Sequence, residues 1–75
     1  MRLFELYYDV LEVMGGRAKI PDMLSEMRSM GWHGYTSASA YRGLKRLRVR
    51  GRVRLMRDGY YVTDKWLKNQ EENYI

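Results

Sequence analysis

A chain of 75 residues with a net charge of +5 and no cysteine has room for one small domain and for no disulfide. The missing thiols and the single histidine, His33, exclude a cysteine nucleophile and a structural zinc cluster. No apolar run approaches the roughly 20 residues that cross a bilayer, and acidic side chains begin at Glu5. We therefore predict one soluble, cytoplasmic domain over residues 1–75, with no membrane segment, metal or cofactor.

The first two predicted helices are separated by a short extended segment. Apolar side chains recur on one face of about residues 3–14 at 100° per residue, which predicts a helix. Two consecutive glycines end it. An extended piece over residues 17–20 then precedes Pro21, which suits the first turn of a second helix over about residues 21–30.

The third predicted helix has one apolar and one basic face. It covers about residues 37–50, with Thr36 as its N-cap and Gly51 after its end. On a wheel of 100° per residue, Leu44 marks the core face and Arg42 points almost directly away from it. The helix is therefore expected to pack on a core and to present cations to solvent.

After Gly51 the apolar period changes to two, which predicts a β-hairpin over residues 52–63. Asp58-Gly59 favours a two-residue turn that places Leu55 opposite Val62. The side chains expected to face the helices are Val53, Leu55, Tyr60 and Val62. Thr63 or Asp64 is expected to cap a last short helix over about residues 64–73.

Positive charge is concentrated in one segment. Residues 42–57 hold eight of the 14 lysines and arginines and no acid, so the rest of the chain is net negative. This distribution predicts one surface that faces an anion. The alternative is a solvated helix end and hairpin.

The stretch TSASAYRGLKRLRVRGRVRLMRDGYYVTDKW resembles the recognition-helix-to-wing segment of winged helix-turn-helix DNA-binding proteins. The resemblance is carried by Thr36 and Ser37 at the cap, by Leu44 and Leu47, by Gly51, and by a basic hairpin that ends in a threonine. It extends to MarR- and PadR-type regulators and to minimal winged-helix proteins of archaeal viruses, plasmids and phages. It implies an α+β fold with a three-helix core, a short strand, a two-stranded wing and a short C-terminal helix. For a virally encoded chain the compartment would be the host cytoplasm.

The resemblance implies sequence-specific binding of double-stranded DNA by a transcriptional regulator, which we expect to repress by occupying its operator. Arg42 and Arg46 point into the predicted major-groove face, where arginine pairs with guanine. The other cations and the capped helix start suit phosphates. The predicted DNA contacts are Thr36, Ser37, Ser39, Arg42, Lys45, Arg46, Arg50, Arg52, Arg54 and Arg57.

An apolar flank of the first helix predicts a homodimer. This flank consists of Phe4, Tyr8 and Leu11, which lie beside the apolar stripe that is expected to face the core. A 75-residue monomer should not leave so much apolar surface exposed. The predicted interface consists of Phe4, Tyr8, Leu11, Trp66, Leu67 and Tyr74. The alternative is that the last helix folds back over the first and covers this flank.

Three other functions fit parts of the pattern. A winged helix can serve as a protein–protein adaptor, although an adaptor does not need eight cations on one face. An RNA-binding module would use aromatic side chains on an exposed sheet, for which Tyr61 is the candidate. The third is an architectural or replication-associated DNA binder with little sequence preference. No paired carboxylates or glycine-rich phosphate loop suggest catalysis, so neither an enzyme nor a small-molecule ligand is predicted.

Overall fold

The described part of the chain consists of four helices and three short strands. The computed structural model describes residues 2–73 of the chain. Its elements, in chain order, are α1 (Leu3–Val13), β1 (Arg17–Ala18), α2 (Ile20–Ser29), α3 (Ser37–Val49), β2 (Val53–Leu55), β3 (Tyr61–Thr63) and α4 (Asp64–Asn73). The α+β class is confirmed, and the four helices lie within one residue of their predicted bounds. No helix in residues 2–73 is long and apolar enough to cross a membrane.

The two ends of α3 follow the predicted signals. At its start, Thr36 Oγ1 accepts a hydrogen bond from the amide of Ser39 at 3.2 Å. At its end, Gly51 has a φ of +74°, and the amide of the next residue, Arg52, donates to the carbonyl of Leu47 at 2.9 Å. This arrangement satisfies the last carbonyls of the helix and turns the chain directly into β2. The cap thus sets the position of the hairpin beside α3.

A glycine lets α1 and α3 pack closely. The ring of Tyr7, which is fully buried on α1, lies where a Cβ atom on Gly43 of α3 would have to be. The Tyr7 hydroxyl is fixed there, because it shares a hydrogen bond of 2.7 Å with Ser39 Oγ. The core around this contact includes Leu11, Leu44 and other buried side chains of α1, α2 and α3.

Replacing Gly43 with alanine is expected to lower the free energy of unfolding by about 2 kcal/mol. Overpacking against the fixed Tyr7 ring costs about 3 kcal/mol, and the gain in helix propensity offsets only about 1 kcal/mol. Thermal and urea denaturation measure the difference, with exposed Lys45→Ala on the same helix as a control that should stay within about 0.5 kcal/mol. A more stable Gly43→Ala protein would contradict this packing of α1 on α3.

The hairpin between β2 and β3 closes with a three-residue loop, one residue longer than predicted. The amide of Met56 donates to the carbonyl of Tyr60 at 2.8 Å, which leaves three residues between the pair. A two-residue type I′ turn needs positive φ at both central positions. Gly59 has a φ of +88°, but among the described residues no non-glycine, Asp58 included, has a positive φ. The loop therefore takes the three-residue form with glycine in the left-handed position.

The longer loop shifts the strand register by one residue, so the predicted inward face of β3 is wrong. Leu55 lies opposite Tyr61 and not opposite Val62. Because side chains alternate between the two faces, this shift moves Tyr61 and Thr63 to the face predicted for Tyr60 and Val62. The sheet order is β1-β3-β2, all antiparallel, and Tyr61, Val62 and Thr63 are all buried. The central strand is therefore covered on both faces.

Candidate nucleic-acid interface

The outward face of α3 carries exposed cations around one exposed apolar residue. Its inward residues Ala40, Leu44 and Leu47 are fully buried, which fixes the rotation of the helix. Arg42 and Lys45 are exposed on the opposite side. Val49 lies beside them with 82% of its surface exposed, and it helps to line a shallow depression with four cations of α3 and its C-cap. Nothing in the core requires Val49 to be apolar.

Two arginines, one within α3 and one at its C-cap, lie over an aromatic ring of α1. The guanidinium carbons of Arg46 and Arg50 lie 5.4 and 4.8 Å from the centroid of the Phe4 ring. Contacts of this kind use the electron-rich face of the ring and hold long side chains in one region. The planar guanidinium still has N–H groups with which to meet an anion. The flank toward α1 is therefore an ordered extension of the basic face.

A third arginine lies over Tyr8, whose hydroxyl binds an acid. The Arg52 guanidinium is 4.0 Å from the centroid of the Tyr8 ring, and the Tyr8 hydroxyl donates a hydrogen bond to Asp64 Oδ1. Burial raises the pKa of Tyr8 above its ordinary value, and the bond to Asp64 raises it further, while Arg52 lowers it. Tyr8 therefore stays a neutral donor at neutral pH, and the Asp64 carboxylate beside the basic segment is engaged within the domain.

The capped start of α3 offers fewer free groups than predicted. The Thr36 hydroxyl oxygen accepts from the amide of Ser39, and the Ser39 hydroxyl is bonded to Tyr7. Both side chains are therefore already hydrogen-bonded within the domain. Ser37 is exposed at the first position of the helix. A phosphate at this end would have Ser37 and the backbone as its partners.

The hairpin tip combines predicted cations with one that the sequence pattern did not indicate. Arg54 and Arg57 are exposed as predicted. Asp58 forms an ion pair of 3.3 Å with Arg17 of β1, and the Arg17 guanidinium lies 3.5 Å from the ring centroid of Tyr60. An exposed ion pair adds little stability, but this one offsets the charge of the only acid in the hairpin loop. Arg17 and Asp58 are 41 residues apart in the chain, so no local sequence pattern could have predicted their contact.

The cations of residues 42–57 are not neutralised within the domain. Seven of the eight are exposed and Arg52 is half-buried. The two ion pairs within residues 2–73 join Arg17 to Asp58 and Lys65 to Glu12, so neither involves this segment. Its positive field therefore points into solvent from α3 and from the adjoining hairpin.

The predicted dimer flank is wrong for its three α1 residues. Phe4 and Tyr8 are 4% and 6% exposed and Leu11 is fully buried, all within one chain. The physical reason is that all three belong to the hydrophobic core, and that Arg50 and Arg52 lie over the rings of Phe4 and Tyr8. Trp66 and Leu67 of α4 are half-buried, and Tyr74 lies outside the described residues. The alternative, a covering of this flank by α4, is found in part, because Asp64 in the first turn of α4 accepts a hydrogen bond from the Tyr8 hydroxyl.

The aromatic side chain proposed for stacking on RNA is not available on the sheet surface. Tyr61 is 4% exposed, and burial raises its pKa while nearby Arg48 lowers it. The shift in hairpin register explains the difference, because it turns Tyr61 to the face that the core covers. The RNA alternative thus loses the residue on which it depended.

No family model matches this chain, and neither the curated proteins nor the solved structures contain a significant match to it.

Proposed function

We propose that this protein is a winged-helix protein that binds double-stranded DNA, with α3 in the major groove and the β2–β3 hairpin as its wing. The order of helix, short strand, helix, turn, helix and hairpin supports the proposal. An α-helix fits the width of the major groove of B-DNA. The cap at Gly51 leads the chain from α3 straight into the hairpin, so that both can meet one duplex.

The observation that carries the proposal is the eight-cation segment 42–57, which projects from α3 and the hairpin without an ion-pair partner among the described residues. A surface with this charge attracts a polyanion, and phosphate contacts dominate affinity for duplex DNA. The opposite side of α3 is built into the core, so the cations of this helix lie on its solvent-exposed surface. A merely solvated helix would not need acids to be excluded from 16 consecutive residues.

The residues of the basic face fit a division of labour. Arg42 lies at the centre of the outward face and suits bidentate bonding to guanine O6 and N7. Val49 suits apolar contact with a thymine methyl group on the same groove floor. Arg54 and Arg57 on the hairpin suit phosphates, which position the protein without reading bases. Together these contacts give sequence preference, and we propose that the protein regulates transcription as a repressor that occupies its operator.

A direct binding measurement tests the proposal. Fluorescence anisotropy at low salt should show saturable binding to duplex DNA, with weaker binding to single-stranded DNA and to duplex RNA of the same length. A-form RNA has a deep and narrow major groove that an α-helix cannot enter. Tighter binding to either of the other two nucleic acids, or no binding to the DNA duplex, would contradict the proposed mode.

A further inference from the structure

A groove of about 620 Å³ lies between the C-terminal half of α3, strand β2 and α4. We call it the α4 groove. Two exposed apolar side chains, Val49 and Leu55, contribute to its lining. Its cations come from all three elements: Lys45, Arg48, Arg54 and Lys68.

The α4 groove is continuous with the outward face of α3. Lys45 and Val49 line both the groove and the shallow depression on that face. The major groove of a duplex is bounded on each side by a sugar–phosphate strand. With α3 in the major groove, the strand on the hairpin side would have to pass between α3 and β2, which is where the α4 groove lies.

The lining of the groove fits the chemistry of such a strand. A sugar–phosphate strand presents anionic phosphates and the carbon atoms of its sugars, and the groove is lined by both cations and apolar side chains. Two acids also line it, Asp64 and Glu71. Asp64 already accepts hydrogen bonds from the Tyr8 hydroxyl and from the amide of Lys65. Glu71, which is exposed on α4 beyond Lys68, is the acid that would oppose a phosphate.

We infer that the α4 groove seats one sugar–phosphate strand of the bound duplex and that Lys68 is a phosphate contact outside the basic segment 42–57. The inference rests on the proposed function and adds α4 to the DNA-binding surface. Lys68 has a close counterpart in Lys65, which is on the same helix but pairs with Glu12 of α1 at 3.7 Å. Lys68 lines the α4 groove and Lys65 does not.

The test compares Lys68→Gln with Lys65→Gln in anisotropy titrations with a random-sequence duplex at several salt concentrations. One phosphate contact contributes about 0.9 to the slope of the logarithm of the binding constant against the logarithm of the salt concentration. Lys68→Gln should therefore weaken binding about fivefold at about 0.15 M salt and reduce this slope by about one. Lys65→Gln should bind as the wild-type protein does. Glu71→Gln should bind more tightly than wild type, because it removes the acid that faces the strand.

Two results would overturn the inference while the wild-type protein still binds the duplex. The first is a Lys68→Gln protein that is indistinguishable from Lys65→Gln in affinity and salt slope. The second is a wild-type dimer in sedimentation that Lys68→Gln abolishes, which would assign the groove to a second copy of the chain. A wild-type protein that binds no duplex would instead remove the proposed function, so the two failures are distinct. Circular dichroism of each variant verifies that the exposed substitutions leave the fold intact.

Discussion

The affinity of this protein for duplex DNA should fall about 100- to 2,000-fold when monovalent salt is raised from about 50 to about 200 mM. The expectation follows from about four to six phosphate contacts. Each contact releases counterions and adds about 0.9 to the steepness with which the logarithm of the binding constant falls with the logarithm of the salt concentration. The cations that suit this role are exposed or half-buried on α3 and the hairpin: Lys45, Arg50, Arg52, Arg54 and Arg57. Anisotropy titrations over a range of salt concentrations give the slope directly.

The salt effect should be a property of binding and not of folding. Unfolding followed by circular dichroism over the same salt range is the control, because screening of surface charges changes stability far less than it changes the affinity for a polyanion. A salt slope near zero would mean that the basic segment does not meet phosphates, and the DNA-binding proposal would then fail.

Removing Arg42 should cost about 1–3 kcal/mol of binding to the preferred duplex, a loss of about 5- to 150-fold. The same Arg42→Ala change should scarcely affect binding to a random duplex, because a bidentate contact to guanine is lost only where guanine is present. Arg46→Ala should have a smaller effect of the same kind, since part of the Arg46 side chain is committed to Phe4. Competition titrations with preferred and random duplexes measure the ratio of the two affinities for each variant.

The hairpin cations should behave differently from those of α3. Arg54→Ala and Arg57→Ala are expected to weaken binding to all duplexes alike and to reduce the salt slope by about one each. Lys65→Ala, which removes a cation on the α1 side of α4, is the matched control and should bind normally. Equal losses on preferred and random duplexes in all the variants of α3 and the hairpin would show that α3 does not read bases.

The helices could be predicted because their signals are local. The apolar stripe of α3 and the cap residue Thr36 lie within the helix or next to it, and Gly51 supplies the left-handed residue that ends it. A cap contact spans only three residues, so chain neighbours decide it without help from the fold. The same reasoning holds at α4, where the Thr63 hydroxyl oxygen accepts from the amide of Trp66 at 3.1 Å.

The register of the hairpin could not be predicted in the same way. Asp58-Gly59 is compatible with a two-residue and with a three-residue loop, which differ by one residue in register. Both registers place apolar side chains of β3 on the inner face, because Tyr61 and Val62 are each able to fill it. The distant partner Arg17 also binds the loop through Asp58. Tertiary contacts therefore decide a choice that the strand pattern leaves open.

The predicted dimer flank failed because its covering groups come from distant parts of the chain. A helical wheel shows Phe4 and Tyr8 as surplus apolar surface, but it cannot show that Arg50 and Arg52 extend over those rings. Lys68 was missed for a related reason. It lies outside the basic segment in sequence and reaches the cationic surface only because α4 borders the groove beside α3 and β2.

Selection of bound sequences from a random duplex pool at physiological salt tests most directly whether this protein recognises DNA through α3. Arg42 and Val49 are seven residues apart on the outward face, which is about 10 Å along the helix and so about three base pairs. We expect an enriched motif with a guanine that Arg42→Ala no longer selects. We also expect a thymine about three base pairs away whose replacement by deoxyuridine weakens binding, because the methyl group facing Val49 is lost. A pool that yields no enriched motif, or the same motif with Arg42→Ala, would contradict base recognition by α3.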